Sequence, residues 1–134
     1  MAFKFEKLEV WQRALEVADA AEFICRELPT HERFNLADQM RRAATSVALN
    51  IAEGSIGQSD AEQGRFLGYA QRSLVETVAC LHLIRRRGYL ADTEPLRDAY
   101  RQSETLFRQL AAFRRSLGHG VREDAVSYDL DVLF

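Results

Sequence analysis

Two arginine–histidine pairs, Arg26 with His31 and Arg114 with His119, are the residues whose spacing first suggests chemistry. An Arg-x4–6-His spacing suits a ribonuclease built on a helical bundle, with imidazole moving a proton and guanidinium holding phosphate. Pro29 interrupts the first pair and Gly118 the second, so neither lies on one continuous helix. The chain's 16 arginines in 134 residues also supply such pairs by chance. A nuclease is the third choice.

A second constellation is Ser46, Asn50, Ser73 and Glu76, near the edges of two inner helix faces, with Arg41, Arg42 and Glu53 close by in sequence. It suits either a pocket for a small molecule or peptide, or a polar network that fixes helix register. In the network, Arg41 or Arg42 would neutralise Glu53 or Glu76. The structural role is the expected one, because every buried polar group needs such partners.

Arginine clusters make the third group: Arg85, Arg86 and Arg87, then Arg114 and Arg115. Cations at a helix C-terminus are favoured by the macrodipole alone. In an up-down bundle the two clusters fall at opposite ends, roughly 35–40 Å apart at helical rise. A ring of copies would repeat each on one rim, and only then is a phosphate-binding surface expected. No histidine has a glutamate three positions before it, as a di-iron bundle requires. No Gly-rich phosphate loop, nucleophile elbow or zinc spacing occurs. No catalytic residue, cofactor or metal site is therefore expected, and the protein is not expected to be an enzyme.

The elements that must position these groups are helices. The chain is 47% hydrophobic and 28% charged with only 7 Gly and 2 Pro, which favours long helices over strands and turns. Residues 39–54, QMRRAATSVALNIAEG, organise the rest. At about 100° per residue, Leu36, Met40, Ala43, Val47 and Ile51 share one face. Thr45, Leu49, Ala52 and Ile56 make a second, mostly apolar strip opposite. Two apolar faces imply a helix covered twice, once by its own bundle and once by a sister copy. That strip is the expected subunit contact.

Four helices are expected over about 6–28, 36–56, 60–87 and 94–117, by apolar spacing and by their stops. The first carries Leu8, Trp11, Leu15, Ala18, Cys25 and Leu28, widened by Ala14, Val17, Ala21 and Ile24; Pro29 ends it. Phe3 and Phe5 should fold back on its first turn. Asn35 with Asp38 and Ser59 with Glu62 form capping-box spacings. Gly54, Ser55 and Gly57 loosen the end of the second helix. The third has Phe66, Ala70, Ser73, Leu74, Thr77, Leu81 and Ile84 inside, and Gly88 at its left-handed stop. Asp92 or Thr93 caps the fourth. Short connections make sequential helices antiparallel neighbours, so residues 1–118 form an all-α, up-down-up-down four-helix bundle.

Residues 119–134 form an acidic tail. Val126, Tyr128, Leu130 and Val132 alternate with polar residues, a pattern too short to fold alone. It either frays or docks on its own bundle or a neighbour. The net charge of −2 gives no whole-chain attraction to nucleic acid or membrane, although residues 41–90 alone carry +3. Cys25 and Cys80, with no CxxC, suit buried thiols in a reducing cytoplasm. No run is long and apolar enough to span a membrane. A cytoplasmic protein without membrane contact is expected.

Gln39, Arg41, Arg42, Ala43, Ser46 and the run Asn50, Ile51, Ala52, Glu53, Gly54 resemble a family hallmark, approximately QLRRAxxSxxxNIAEG. Phe66, Leu67, Ala70, Ser73, Leu74 and Glu76 fit its second part, FLxxAxGSLxE; Leu8, Val10, Trp11, Ala14, Leu28, Pro29 and Glu32 fit upstream. The chain is thereby similar to the bacterial four-helix-bundle proteins encoded by intervening sequences in 23S ribosomal RNA genes. That family looks related to the accessory protein of diversity-generating retroelements. Ala48 stands where the family often has proline, and Arg72 where it often has glycine. The resemblance implies a bundle that assembles into rings, pentamers in particular, with no established enzymatic activity. The retroelement relative implies RNA or a ribonucleoprotein as partner, yet it is strongly basic and this chain is not. The leading expectation is a non-catalytic, ring-forming scaffold or adaptor.

Overall fold

Ser59 and Gly88 delimit the longest helix by opposite local rules. Ser59 Oγ accepts the Glu62 amide at 3.0 Å, and Gly88 takes φ +67°, which ends the helix in a left-handed turn. The computed structural model describes residues 3–57, 59–118 and 134. Its helices are α1 (Glu9–Arg26), α2 (Leu36–Gly54), α3 (Asp60–Arg87) and α4 (Glu94–Ser116). Each of α1 and α3 packs against both α2 and α4, which closes an antiparallel four-helix bundle. The described residues contain no strand.

Some helix starts differ from expectation, each for a local reason. α1 begins at Glu9 because Lys4–Lys7 form a separate 3-10 turn, held by the Glu6 carboxylate accepting the Phe3 amide at 2.9 Å. Phe5 folds back edge-on over Trp11, with ring centroids 4.9 Å apart. Asn35 occupies the cap position of α2 without capping it: its Oδ1 accepts from Gln39 Nε2 at 3.4 Å and its Nδ2 donates to Glu32 Oε1. At α4 it is Asp92 Oδ1 that accepts the Glu94 amide, at 3.0 Å.

The core faces are close to the expected ones, with two rotations. In α1 the buried stripe is Val10, Ala14, Val17, Ala21, Ile24 and Cys25, and Leu15 is exposed. In α3 the inner position is Leu67; Phe66 is half-buried at the edge, above Gly54. Buried residues form two clusters. One, towards the α1–α2 turn, contains Met40, Leu81, Ile84 and Tyr100; the other contains Val47, Ile51, Leu74 and Leu110. Cys25 and Cys80 lie in the first as free thiols, and burial pushes Cys25 up to about 11.

Phe134 also belongs to the first cluster, its ring centroid 5.0 Å from that of His82 and 5.5 Å from that of Tyr100. The alternating residues Val126, Tyr128, Leu130 and Val132 lie outside the described residues. No described helix is long and apolar enough to cross a membrane.

Candidate functional site

A seam of small polar side chains sits between the two apolar clusters. Ser73 Oγ donates to Ser46 Oγ across α2 and α3 at 2.9 Å. Asn50 Nδ2 donates to both the carbonyl and the hydroxyl of Ser46, each at 2.9 Å, and Thr77 Oγ1 donates to the Ser73 carbonyl. Ser103 of α4 is buried between Tyr100 and Leu106, which belong to opposite clusters. Three of the sequence-selected residues thus meet in one hydrogen-bonded set. Such a set fixes the register of α2 on α3, because a one-turn slip would strand its polar atoms in apolar surroundings.

The charged members expected beside that set are elsewhere. Arg41 forks onto Glu22 of α1, Nε to Oε2 at 2.7 Å and Nη2 to Oε1 at 3.3 Å. The Arg41 hydrogen bond holds Glu22 below the usual carboxylate range. Arg42 pairs with Asp38 at 3.4 Å one turn earlier on α2. Glu53 and Glu76 are exposed. The expectation that these arginines neutralise Glu53 or Glu76 is therefore corrected: partners one turn away, or across α1, are closer than any on α3.

The basic clusters are also divided by packing. Arg87 turns inward onto the buried Glu32, Nη1 to Oε2 at 3.1 Å, so it is not a free rim cation. Arg114 donates to Gln71 Oε1 at 2.8 Å and rests on Gly68. Gln71 lies sixteen residues before Arg87 on the same helix, so the clusters are about 24 Å apart along the axis, closer than expected. Arg85, Arg86 and Arg115 stay exposed.

Glu32 is the site residue whose role sequence reasoning missed. Its carboxylate accepts from Tyr89 OH at 2.6 Å, from Asn35 Nδ2 at 2.9 Å and from Arg87. His31 Nε2 lies 3.2 Å from the same Tyr89 hydroxyl. The partners Arg87 and Tyr89 are 55 and 57 residues away, beyond the reach of any local pattern. This cluster ties the α1–α2 turn to the end of α3. His31 faces Tyr89 and Arg26 pairs with Glu22, so that arginine and histidine do not converge. His119 lies outside the described residues. Among the described residues, no three His, Cys, Asp or Glu side chains gather to hold a metal ion.

The Tyr89 and Asn35 hydrogen bonds, with Arg87, hold Glu32 below its ordinary value, and the same contact pushes Tyr89 up. A carboxylate with a lowered folded pKa stabilises above its unfolded value, about 4.3, and that contribution is lost as pH falls through the folded value. A tyrosine with a raised pKa stabilises below its unfolded value of about 10 and loses this as pH rises through the folded one. Glu32→Gln should therefore flatten the fall in melting temperature between about pH 5 and pH 3. Parallel wild-type and variant profiles in thermal melts would refute this.

On the outer side of α2, Thr45 and Leu49 are exposed and Ala52 is half-buried, whereas Met40, Val47 and Ile51 opposite them are fully buried; α2 ends at Gly54, short of the expected residue 56, so Ile56 is exposed in the turn that follows. The family model described as 23S rRNA-intervening sequence protein matches residues 6–112, which include all four helices but the last turn of α4. No curated protein matches the chain.

Proposed function

The chain belongs to the family of 23S rRNA-intervening sequence proteins, and from that premise we propose that it is a non-catalytic, ring-forming homo-oligomeric scaffold or adaptor. One observation carries the reading. Leu49 is 62% exposed on a helix whose other face is fully buried, and Ile56, in the turn two residues past the end of that helix, is 68% exposed. Large apolar side chains left exposed near one another are a liability for an isolated protein and an asset for an assembling one. Arg42 and Glu53 flank the strip and would form the polar rim of an interface centred on Leu49. A closed ring with cyclic symmetry, pentameric in the family this chain resembles, repeats that contact without leaving an unmatched surface.

In such a ring Arg85 and Arg86 recur around one rim, and RNA or a ribonucleoprotein is the partner suited to that repeated charge. Light scattering tests the assembly. The wild-type mass should be a multiple of 15.3 kDa, fivefold for a pentamer. The double substitution Leu49→Asp, Ile56→Asp should return it to the single-chain mass with helicity unchanged. A wild-type monomer would remove the reading. RNA binding should weaken steeply as salt rises; binding indifferent to salt would rule out the arginine rim.

A further inference from the structure

A groove of about 410 Å³ opens between α3 and α4 at the end of the bundle away from Glu32. Arg65 and Arg72 line it from α3 and Arg114 from α4, and no carboxylate lines it. Arg65 is drawn only loosely to Glu62, at 3.5 Å. Arg72 has no ion pair among the described residues. Arg114 has a neutral side-chain partner, Gln71, and its guanidinium lies flat over Gly68, where a Cβ would come within 3.1 Å of Cζ.

Gln71 supplies the independent sign of a ligand. It is only 5% exposed and lines the groove, and its Nε2 has no hydrogen-bond partner. Its orientation is not free: Arg114 can only donate, so Oε1 must face it and the NH2 group must point elsewhere. Arg114 Nε is likewise buried and unpartnered. A buried donor without an acceptor is costly, and here two sit among three cations with no anion. The groove has no negative charge in its lining to meet these donors. Along α3, Arg65 and Arg72 are seven residues apart, about 10 Å, with Arg114 resting at Gly68 between them. Guanidinium arms that line one groove over that span can fork onto the oxygens of one phosphate. Tyr69 and Phe107 add aromatic surface to the same groove.

We propose that this α3–α4 groove binds a phosphate-bearing ligand of nucleotide size, its phosphate held by Arg65, Arg72, Arg114 and the Gln71 amide and its base against Tyr69 and Phe107. The site is complete within one chain and does not rest on the assembly reading. The phosphate is that of either a free nucleotide or a nucleotide within an RNA strand, and the two sources are separable.

Calorimetric titration of the full chain with AMP, adenosine and a ten-nucleotide single-stranded RNA is the test. AMP or the RNA should bind saturably, and adenosine at least about tenfold more weakly than AMP. Arg72→Ala, an exposed change, should weaken binding by about tenfold or more, as should Arg114→Gln. Arg108→Ala, on an α4 arginine paired with Glu104 outside the groove, should leave it unchanged. Circular dichroism melts confirm that each variant is folded, and Arg72→Ala carries the test if Arg114→Gln is not. AMP binding lost in Arg72→Ala identifies the free nucleotide; RNA binding lost in Arg72→Ala without AMP binding identifies the polymer. No binding of either at about 5 mM, or binding equally strong in Arg72→Ala, overturns the proposal.

Discussion

Gly54→Val should destabilise the bundle by about 3 kcal/mol, the upper end of what overpacking usually costs. For a domain of this size that lowers the melting temperature by roughly 10 °C. The reason is a backbone approach, not a backbone conformation. A Cβ at Gly54 would stand 2.7 Å from Phe66 Cβ and 3.4 Å from the Gln63 carbonyl oxygen. Phe66 Cβ is fixed to the α3 backbone, so no side-chain rotation relieves the contact, and α2 must move off α3. Gly54→Ala should fall between, because the overpacking is partly offset by a helix preference for alanine of about 1 kcal/mol. Gly68→Ala is the counterpart with the opposite sign. There the nearest atoms are the far end of Arg114, which can yield, so the change should be neutral or stabilising by up to about 1 kcal/mol. Thermal melts of the three variants decide. If Gly54→Val melts within about 2 °C of wild type, α2 and α3 are not in backbone contact there.

The two glycines also mark what a sequence reveals and what it hides. In sequence, Gly54 looks like a residue that loosens a helix end; in the fold it is the place where two helices touch. Periodicity legibly gave the helices and their faces, since Ser59, Gly88 and Pro29 act through their own backbone and one turn either side. It also gathered Ser46, Asn50 and Ser73, because small polar residues at inner positions need one another. What it could not give were the partners that arginine and glutamate side chains choose across helices. Arg41 chooses Glu22 from 19 residues away, Arg114 chooses Gln71 from 43, and Glu32 draws Arg87 from 55. A helical wheel assigns a residue to a face; only the packing of that face on its neighbour says which charge it meets. Arg72 shows the same limit. It stands where the family resemblance expects glycine, a local irregularity, yet its place beside Arg65 and Arg114 depends on how α4 lies on α3.

Leu81→Ala and Leu83→Ala, two positions apart on α3, should differ widely in what they cost. Leu81 is fully buried against Ile84 and Met40 in the first cluster, and Leu83 is 41% exposed. Truncating a buried leucine removes both its transfer free energy and the contacts of the cavity left behind, about 2–5 kcal/mol. In a domain of this size that is about 10 °C of melting temperature. Truncating a partly exposed leucine away from a packed core costs at most about 0.5–1 kcal/mol. The polar residues of the mid-bundle seam do not change this, since Leu81 lies a full turn beyond Thr77 within apolar surroundings. Equal losses for both variants would mean that α3 is rotated from the orientation in which Ser73 meets Ser46. A Leu83→Ala loss that shrinks as protein concentration falls would have a different meaning, because a cost that disappears on dilution is a cost to association. Leu83 would then join Leu49 and Ile56 as surface that a sister copy covers, and the contact would extend from α2 onto α3.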